Sequence, residues 1–291
     1  MSRRHTTARP TGGLRAITLS AVMDNKRALL GAILVCVVAF MALLSFAWTP
    51  FEPNTFDLPN ATQAPTPGHP AGTDIYGRDI LSRIMAGAVT SLGIAVSAVA
   101  IALMGGTTLG VFAGYVGGWF DLIVTRFIDV MLAIPALVFA LGIVALLGPS
   151  SRSVTVALAV VYMWPFARVT RTVAVSVRSH SYTEASRGLG VSPGMIVLRD
   201  VMPNVLPIMV VQATTALAWG VLDEASLGFL GLGVQPPDPS WGSLLIEGRF
   251  YMFDAPWQAI TAGLAVLIAV LGINLLGDGL RDIIDPRSRS L

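Results

Sequence analysis

The residues of this chain that could do chemistry are few and scattered, and their spacing excludes more than it offers. A phosphate-binding loop needs G-x-x-x-x-G followed by a lysine whose ammonium reaches the β- and γ-phosphates. The only lysine, Lys26, follows Asn25, so nucleotide hydrolysis by that route is closed to this chain. His5, His69 and His180 lie far apart, no H-E-x-x-H occurs, and the single cysteine, Cys36, falls inside an apolar run. A zinc site gathers three or four such ligands, so neither metal nor cofactor is expected. Two adjacent carboxylates, Asp223 and Glu224, stand near the end of an apolar run, a costly place for charge unless it faces water or a partner. They read either as a polar face at a gate or outer mouth, or as ordinary helix-end solvation. An enzyme acting alone is not what these residues describe.

The remaining candidate is a polar stretch between apolar runs, SYTEASRGLGVSPGMIVLRDVMPNVLP, residues 181–207. Ser181 and Glu184 have capping-box spacing, which predicts a helix start. Tyr182, Ala185 and Leu189 recur at helical spacing, and Gly190 suits the left-handed residue that closes a helix. Ser192 then predicts the cap of a second short helix beginning at Pro193 and ended by Pro203 and Pro207. Helices this short are marginal in water, so the pair must dock on something. Ala185, Ser186, Gly188 and Gly190 would admit another backbone closely, which suits a knob in a partner's groove. The alternative is a connecting loop that packs on its own helices.

The elements that hold this stretch are apolar. Of 291 residues, 54% are hydrophobic and 12% charged, with a mean hydropathy of +0.71, which is the composition of a membrane protein. The reading is an all-α membrane protein with a tail over 1–25, a first span over 26–48 and a proline-rich loop over 49–83. A core over 84–280 follows, with the polar segment at 176–205 and a second loop at 231–256, and then a tail over 281–291. Within the second span, Ala98, Ala102, Gly106, Gly110, Gly114 and Gly118 form a stripe of small residues every fourth position, which predicts close helix packing. Gly117 to Arg126, with Asp121, is a predicted short turn, Asp129 is placed to pair with Arg126, and Pro135 should kink the third span. Arg168 and Arg171 are expected to snorkel to the interface. Six spans put both termini on one side. Fifteen of the 19 lysines and arginines lie on that side, against Arg78, Arg83, Arg152 and Arg249 opposite. The bias predicts cytoplasmic termini and a cytoplasmic 181–207 segment.

That segment resembles the EAA loop of the permease subunits of ABC importers, in Glu184-Ala185-Ser186, Gly190 and Met202-Pro203-Asn204. Ser186 replaces the family's alanine, Asp200 a usual histidine and Met202 a usual leucine. Three further segments are similar, in order, to the C-type permeases of dipeptide, oligopeptide and nickel importers. They are Gly72-Thr73-Asp74 with Gly77-Arg78-Asp79-Ile80-Leu81-Ser82-Arg83, then Ser226 to Gly233 with Pro239-Ser240-Trp241-Gly242, and Asn274 to Asp282 with Asp285-Pro286-Arg287. The resemblance implies six transmembrane helices of the type I ABC importer permease fold, in the plasma membrane of a prokaryote. It implies that Tyr182, Glu184, Ala185, Ser186, Arg187, Gly188, Gly190 and Pro203 couple to cytoplasmic ATPase subunits, which carry the ATP and magnesium. It implies a homologous second permease and an extracytoplasmic solute-binding protein, with Asp223, Glu224, Trp241, Glu247 and Arg249 at the outer gate or the binding-protein contact. Oligopeptides are the expected solute, with dipeptides or nickel as alternatives and no nucleic acid. A secondary transporter needing no ATPase is the reading from a different class. It calls for a mid-membrane ionisable group or inverted repeats, and only Asp223 and Glu224 offer the former.

Overall fold

A computed structural model describes residues 19–284. The arginines of the leading tail and the Asp285-Pro286-Arg287 motif lie outside them. Among the described residues the regular structure is helical, apart from one bridge between Thr73 and Asp79. Helix α1 (Leu19–Asp24) already occupies the end of the segment expected to be an irregular tail. Asn25 breaks it and caps α2 (Lys26–Leu44), its Oδ1 accepting from the N–H groups of Arg27 and Ala28. This first span ends four residues before Trp48.

Helix α3 (Ile80–Val116) starts inside the expected loop, because Asp79 caps it by accepting from Ser82 N–H at 2.8 Å. Its 37 residues extend about 55 Å at 1.5 Å each, well beyond a hydrocarbon core of about 30 Å. It packs along α6 (Ser151–Arg178) through the small-residue stripe. A Cβ on Gly106 would lie 2.3 Å from Met163 O, on Gly110 2.2 Å from Ala167 O, and on Gly114 2.7 Å from Arg171 O. Only hydrogen fits in those gaps, so backbone meets backbone. Gly118 is a correction to the stripe: it begins the next helix at φ +62°, and a Cβ there would touch nothing within 4 Å.

The expected turn up to Arg126 shrinks to Gly117, and α4 (Gly118–Ala133) follows at once. The third span is not a kinked rod. Ile134, held extended (φ −85°, ψ 127°) by the following Pro135, separates α4 from α5 (Ala136–Leu147), and the two axes differ by 91°. Helix α5 has 12 residues, about 18 Å, and is too short to cross alone. Only together do α4 and α5 have the length and apolarity of a span, with α4 turned aside at the arginine-rich end. There Ile128 and Val124 of α4 pack with Trp164 and Ala167 of α6.

Beyond α6 come α7 (Ser181–Gly188) and α8 (Pro193–Ile196). Helix α8 runs through a π-helical turn, Val197–Val201, directly into α9 (Met202–Phe229). Pro203 and Pro207 therefore do not end a short helix; they lie within a continuous segment, Pro193–Phe229, long and apolar enough to span. Proline has no N–H to donate to the carbonyl four residues back. The ladder widens just before Pro203, where Met202 N–H reaches Val197 O, five residues earlier. The loop expected at 231–256 contains α10 (Trp241–Phe250), and α11 (Pro256–Ile284) runs past the expected end of the sixth span into the predicted tail. Helices α2 and α11 cross as closely as α3 and α6: a Cβ on Gly31 would lie 2.2 Å from Leu276 N.

Candidate functional site

At the arginine-rich end, α7 stands away from the body. Its helix is capped by His180 without a side-chain bond, so the Ser181–Glu184 capping box does not form. Ser181 sits one position too far into the helix to accept from its third turn residue. The anchor is Thr183 instead, fully buried, donating to Val177 O at 2.9 Å. Gly190 takes φ +77° and closes the turn, with its N–H on Arg187 O and Val191 N–H on Ser186 O. Ser192 precedes Pro193 as expected but makes no capping bond.

The apolar positions that give α7 its helical period do not face the protein. Tyr182 is 46% and Leu189 84% exposed, and Glu184, Ala185, Arg187 and Gly188 are exposed with them, while Ser186 is half-buried. Two contacts tie this unit to α3. The Arg187 guanidinium lies over the Tyr115 ring, 5.1 Å from its centre, and Arg178 donates to Val116 O at 3.3 Å. Beside it, Gly117 (φ +71°) leaves room that a Cβ would take from Arg178 Nη1, only 2.0 Å away. A cation over an aromatic face contributes about 0.5–1 kcal/mol at exposed sites, enough to orient α7 without fixing it.

Arg168 and Arg171, expected to snorkel, pair across to α4. Arg171 grips Asp121 with two bonds and Arg168 bonds Asp129, so Asp129 does not pair with Arg126 as its spacing suggested. Loops and helix ends meet differently at the opposite end. Asp74 receives Arg78 Nε at 2.6 Å, and Glu247 of α10 receives Arg78 Nη2 at 3.1 Å, Arg83 Nη2 at 3.2 Å and Gln258 Nε2 at 3.3 Å. The arginine side chains are 6% and 1% exposed. The network fastens the 49–79 loop to α3, α10 and α11. His69 and Asp79, in contact at 2.9 Å, extend it.

Two residues expected at an outer contact are inside the protein. Trp241 is fully buried; its indole N–H donates to Ile84 O at 3.2 Å and its backbone N–H to Ser91 Oγ at 3.0 Å. Glu224 is also fully buried, its carboxylate enclosed beside the Ser91 and Ser240 hydroxyls. Both are enclosed because α9 and α10 cross at glycines: a Cβ on Gly228 would lie 2.6 Å from Gly242 Cα. Asp223, one residue away, points elsewhere and accepts from the Tyr162 hydroxyl at 2.6 Å, linking α9 to α6. Arg249 remains exposed, stacked over Phe229 and Phe250.

A groove of about 650 Å³ runs between α3 and α9, walled by residues such as Val96, Met104, Met209 and Leu217. Thr107, Thr108 and Thr214 are its hydroxyls, and Thr107 Oγ1 is buried without a partner. No motif marked this groove, since its walls come from two helix faces far apart in the chain, Val96 to Thr108 and Met202 to Leu217.

The fold is that of a helical membrane protein with a short helix protruding between two long spans. The chain belongs to the family described as the binding-protein-dependent transport system inner membrane component, whose model matches residues 106–290. It is 40% identical over 266 residues to the dipeptide transport system permease DppC of Alkalihalophilus pseudofirmus, covering 91% of this chain and 88% of that protein. It is 38% identical to the di/tripeptide permease DppC of Pseudomonas aeruginosa, over 91% and 90%. It is 40% identical to the glutathione permease GsiD of Pectobacterium atrosepticum, over 81% and 79%. The inward-facing MetNI methionine ABC transporter shares the fold, with a TM-score of 0.57 at 20% identity over 70% of this chain and 96% of that one.

Proposed function

We propose that this chain forms half of the translocation pathway of an ATP-driven importer of peptides, and that it converts the work of cytoplasmic ATPase subunits into alternating access. The observation that carries this is α7, a helix with an exposed apolar face, placed between two spans at the arginine-rich end and braced to α3 through Arg187 and Tyr115. Tyr182, Glu184, Ala185, Ser186, Arg187, Gly188 and Gly190 make the contact, and the charge bias puts it in the cytoplasm. Pro203 lies farther back, in the stalk that links the contact to α9. A homologous permease closes the α3–α9 groove from the other side, and an extracytoplasmic solute-binding protein delivers the solute. The names of the relatives favour di- and tripeptides over longer peptides.

Mechanically, closure of the ATPase pair moves α7, and rigid spans rock about it. The π-helical turn gives α8 and α9 a place to adjust, since such turns recur at functional sites. The reading is tested in proteoliposomes containing the whole complex. Uptake of a labelled dipeptide should require ATP and the binding protein. Glu184→Lys and Gly190→Val should leave the subunit inserted but abolish hydrolysis linked to transport. Uptake driven by a proton gradient without ATP, or full linked hydrolysis in both variants, would overturn it.

A further inference from the structure

The residues assigned above to coupling all lie between Tyr182 and Pro203, and none of them is on α3. Yet α7 is fastened unevenly, and α3 supplies what its own neighbours do not. At its start α7 follows α6 directly, and Thr183 ties its first turn to Val177 O at 2.9 Å. Its far end leads to α9 through a thin link. From Leu189 to Met195 every residue is exposed or half-buried. A Cβ on Gly190 or Gly194 would meet nothing within 4 Å, and the chain is enclosed again only at Ile196, 1% exposed.

A side chain holds that far end instead. The Arg187 guanidinium lies 5.1 Å from the centre of the Tyr115 ring. Tyr115 is half-buried and packs against the apolar core that α3 shares with α6. The next two residues of α3 complete the clamp: Val116 O accepts from Arg178 Nη1, and Gly117 leaves the space that this guanidinium fills. Helices α3 and α6 are already one body, because their backbones meet at Gly106, Gly110 and Gly114. With Arg187 on Tyr115, both ends of α7 belong to that body. Without the ring, only the Thr183 end does, and α7 can pivot about it.

We infer that Tyr115 is a positioning residue for coupling: it makes α7 part of the α3–α6 body, so that a stroke on α7 turns α3, α6 and α7 together against α9. The 189–195 link and the π-helical turn take up the motion. The inference rests on the importer reading above and adds the route by which the stroke travels.

The test uses the complete transporter in nanodiscs, with Cys36→Ser and the other cysteines of the complex replaced, and assembly checked by gel filtration. Spin labels go on Ser181 of α7 with either Phe112 of α3 or Ile208 of α9, all exposed, and distances are read by double electron–electron resonance. Trapping the ATPases with ADP and vanadate should change the 181–208 distance and leave 181–112 as it was; a 181–112 change of equal size overturns the inference. Tyr115→Leu should shift the balance from the native 181–112 distance toward a second one by about two- to fivefold, the factor equal to about 0.5–1 kcal/mol. In proteoliposomes the same variant should move less labelled dipeptide per ATP. Tyr115→Phe keeps the ring face and should restore both readouts, which loss of mere bulk at this position does not explain. In an Arg187→Gln background Tyr115→Leu should add nothing. Should Tyr115→Leu not assemble, Arg187→Gln removes the same contact from the exposed side and must shift the same distance in the nucleotide-free state. Native distances in the leucine variant, equal damage by phenylalanine, or additive losses in the double variant would each sink the inference while ATP-dependent uptake leaves the importer reading standing. If neither distance responds to nucleotide and uptake needs no ATP, the importer reading fails and this one with it.

Discussion

Exchanging Gly110 for alanine tests whether α3 and α6 are held by backbone contact. Two effects oppose each other. Alanine is favoured over glycine inside a helix by about 1 kcal/mol. Against that, the new Cβ would lie 2.1 Å from Thr170 Oγ1 and 2.2 Å from Ala167 O. Carbon contacts settle near 3.5–4.0 Å, so the helices would have to part by roughly 1 Å or more. Thr170 could rotate, at the loss of its 2.8 Å bond to Phe166 O, but Ala167 O belongs to a helix backbone and cannot. Parting also loosens the neighbouring Gly106 and Gly114 contacts. Overpacking typically costs about 1–3 kcal/mol, and its upper half applies where backbone is the obstacle. The net expectation is a loss of about 1–2 kcal/mol, or roughly 2–8 °C in melting temperature for a chain of this size. Gly93 lies on the same helix, and a Cβ there would meet nothing within 4 Å. Gly93→Ala should therefore keep only the propensity gain and raise the melting temperature by roughly 2–4 °C. Thermal unfolding of the purified protein in detergent, followed by loss of the gel-filtration peak, reads both. Shifts of the same sign would refute the argument, because the two exchanges differ only in what faces the added methyl.

The ionic network should behave asymmetrically. Glu247→Ala leaves Arg83 buried, with only Asp74 at 3.9 Å to balance it, and should cost about 3–5 kcal/mol of stability. Combining Glu247→Leu with Arg83→Met should recover most of that, since apolar replacement of a buried pair is often neutral; a double variant no better than the single one would disprove it. Asp121→Asn removes the grip of α4 on Arg171, a pair 17% and 28% exposed. It should cost about 1 kcal/mol or less by the same thermal assay, because Ile128 and Val124 still pack on Trp164 and Ala167. A loss of several kcal/mol would show that charge, not packing, holds α4.

Composition and the spacing of small residues were enough to read a helical membrane protein, a close-packing stripe at Gly106, Gly110 and Gly114, and a short helix closed by Gly190. These are local facts: a four-residue period or a positive φ is written into neighbouring residues. Tertiary structure decided the rest, including that the stripe meets α6. Asp129 chose Arg168 over Arg126 because the α4–α5 break turns α4 toward α6, and no spacing rule registers a 91° bend. Pro203 failed to stop its helix because a π turn had already displaced the bond it would have broken. Trp241, read in a long outer loop, and Glu224, read at the far end of a span as a gate face or a solvated helix end, are both buried by the glycine crossing of α9 with α10. Whether a side chain meets lipid, water or another helix depends on segments far away in the chain, and that is information a linear pattern does not contain.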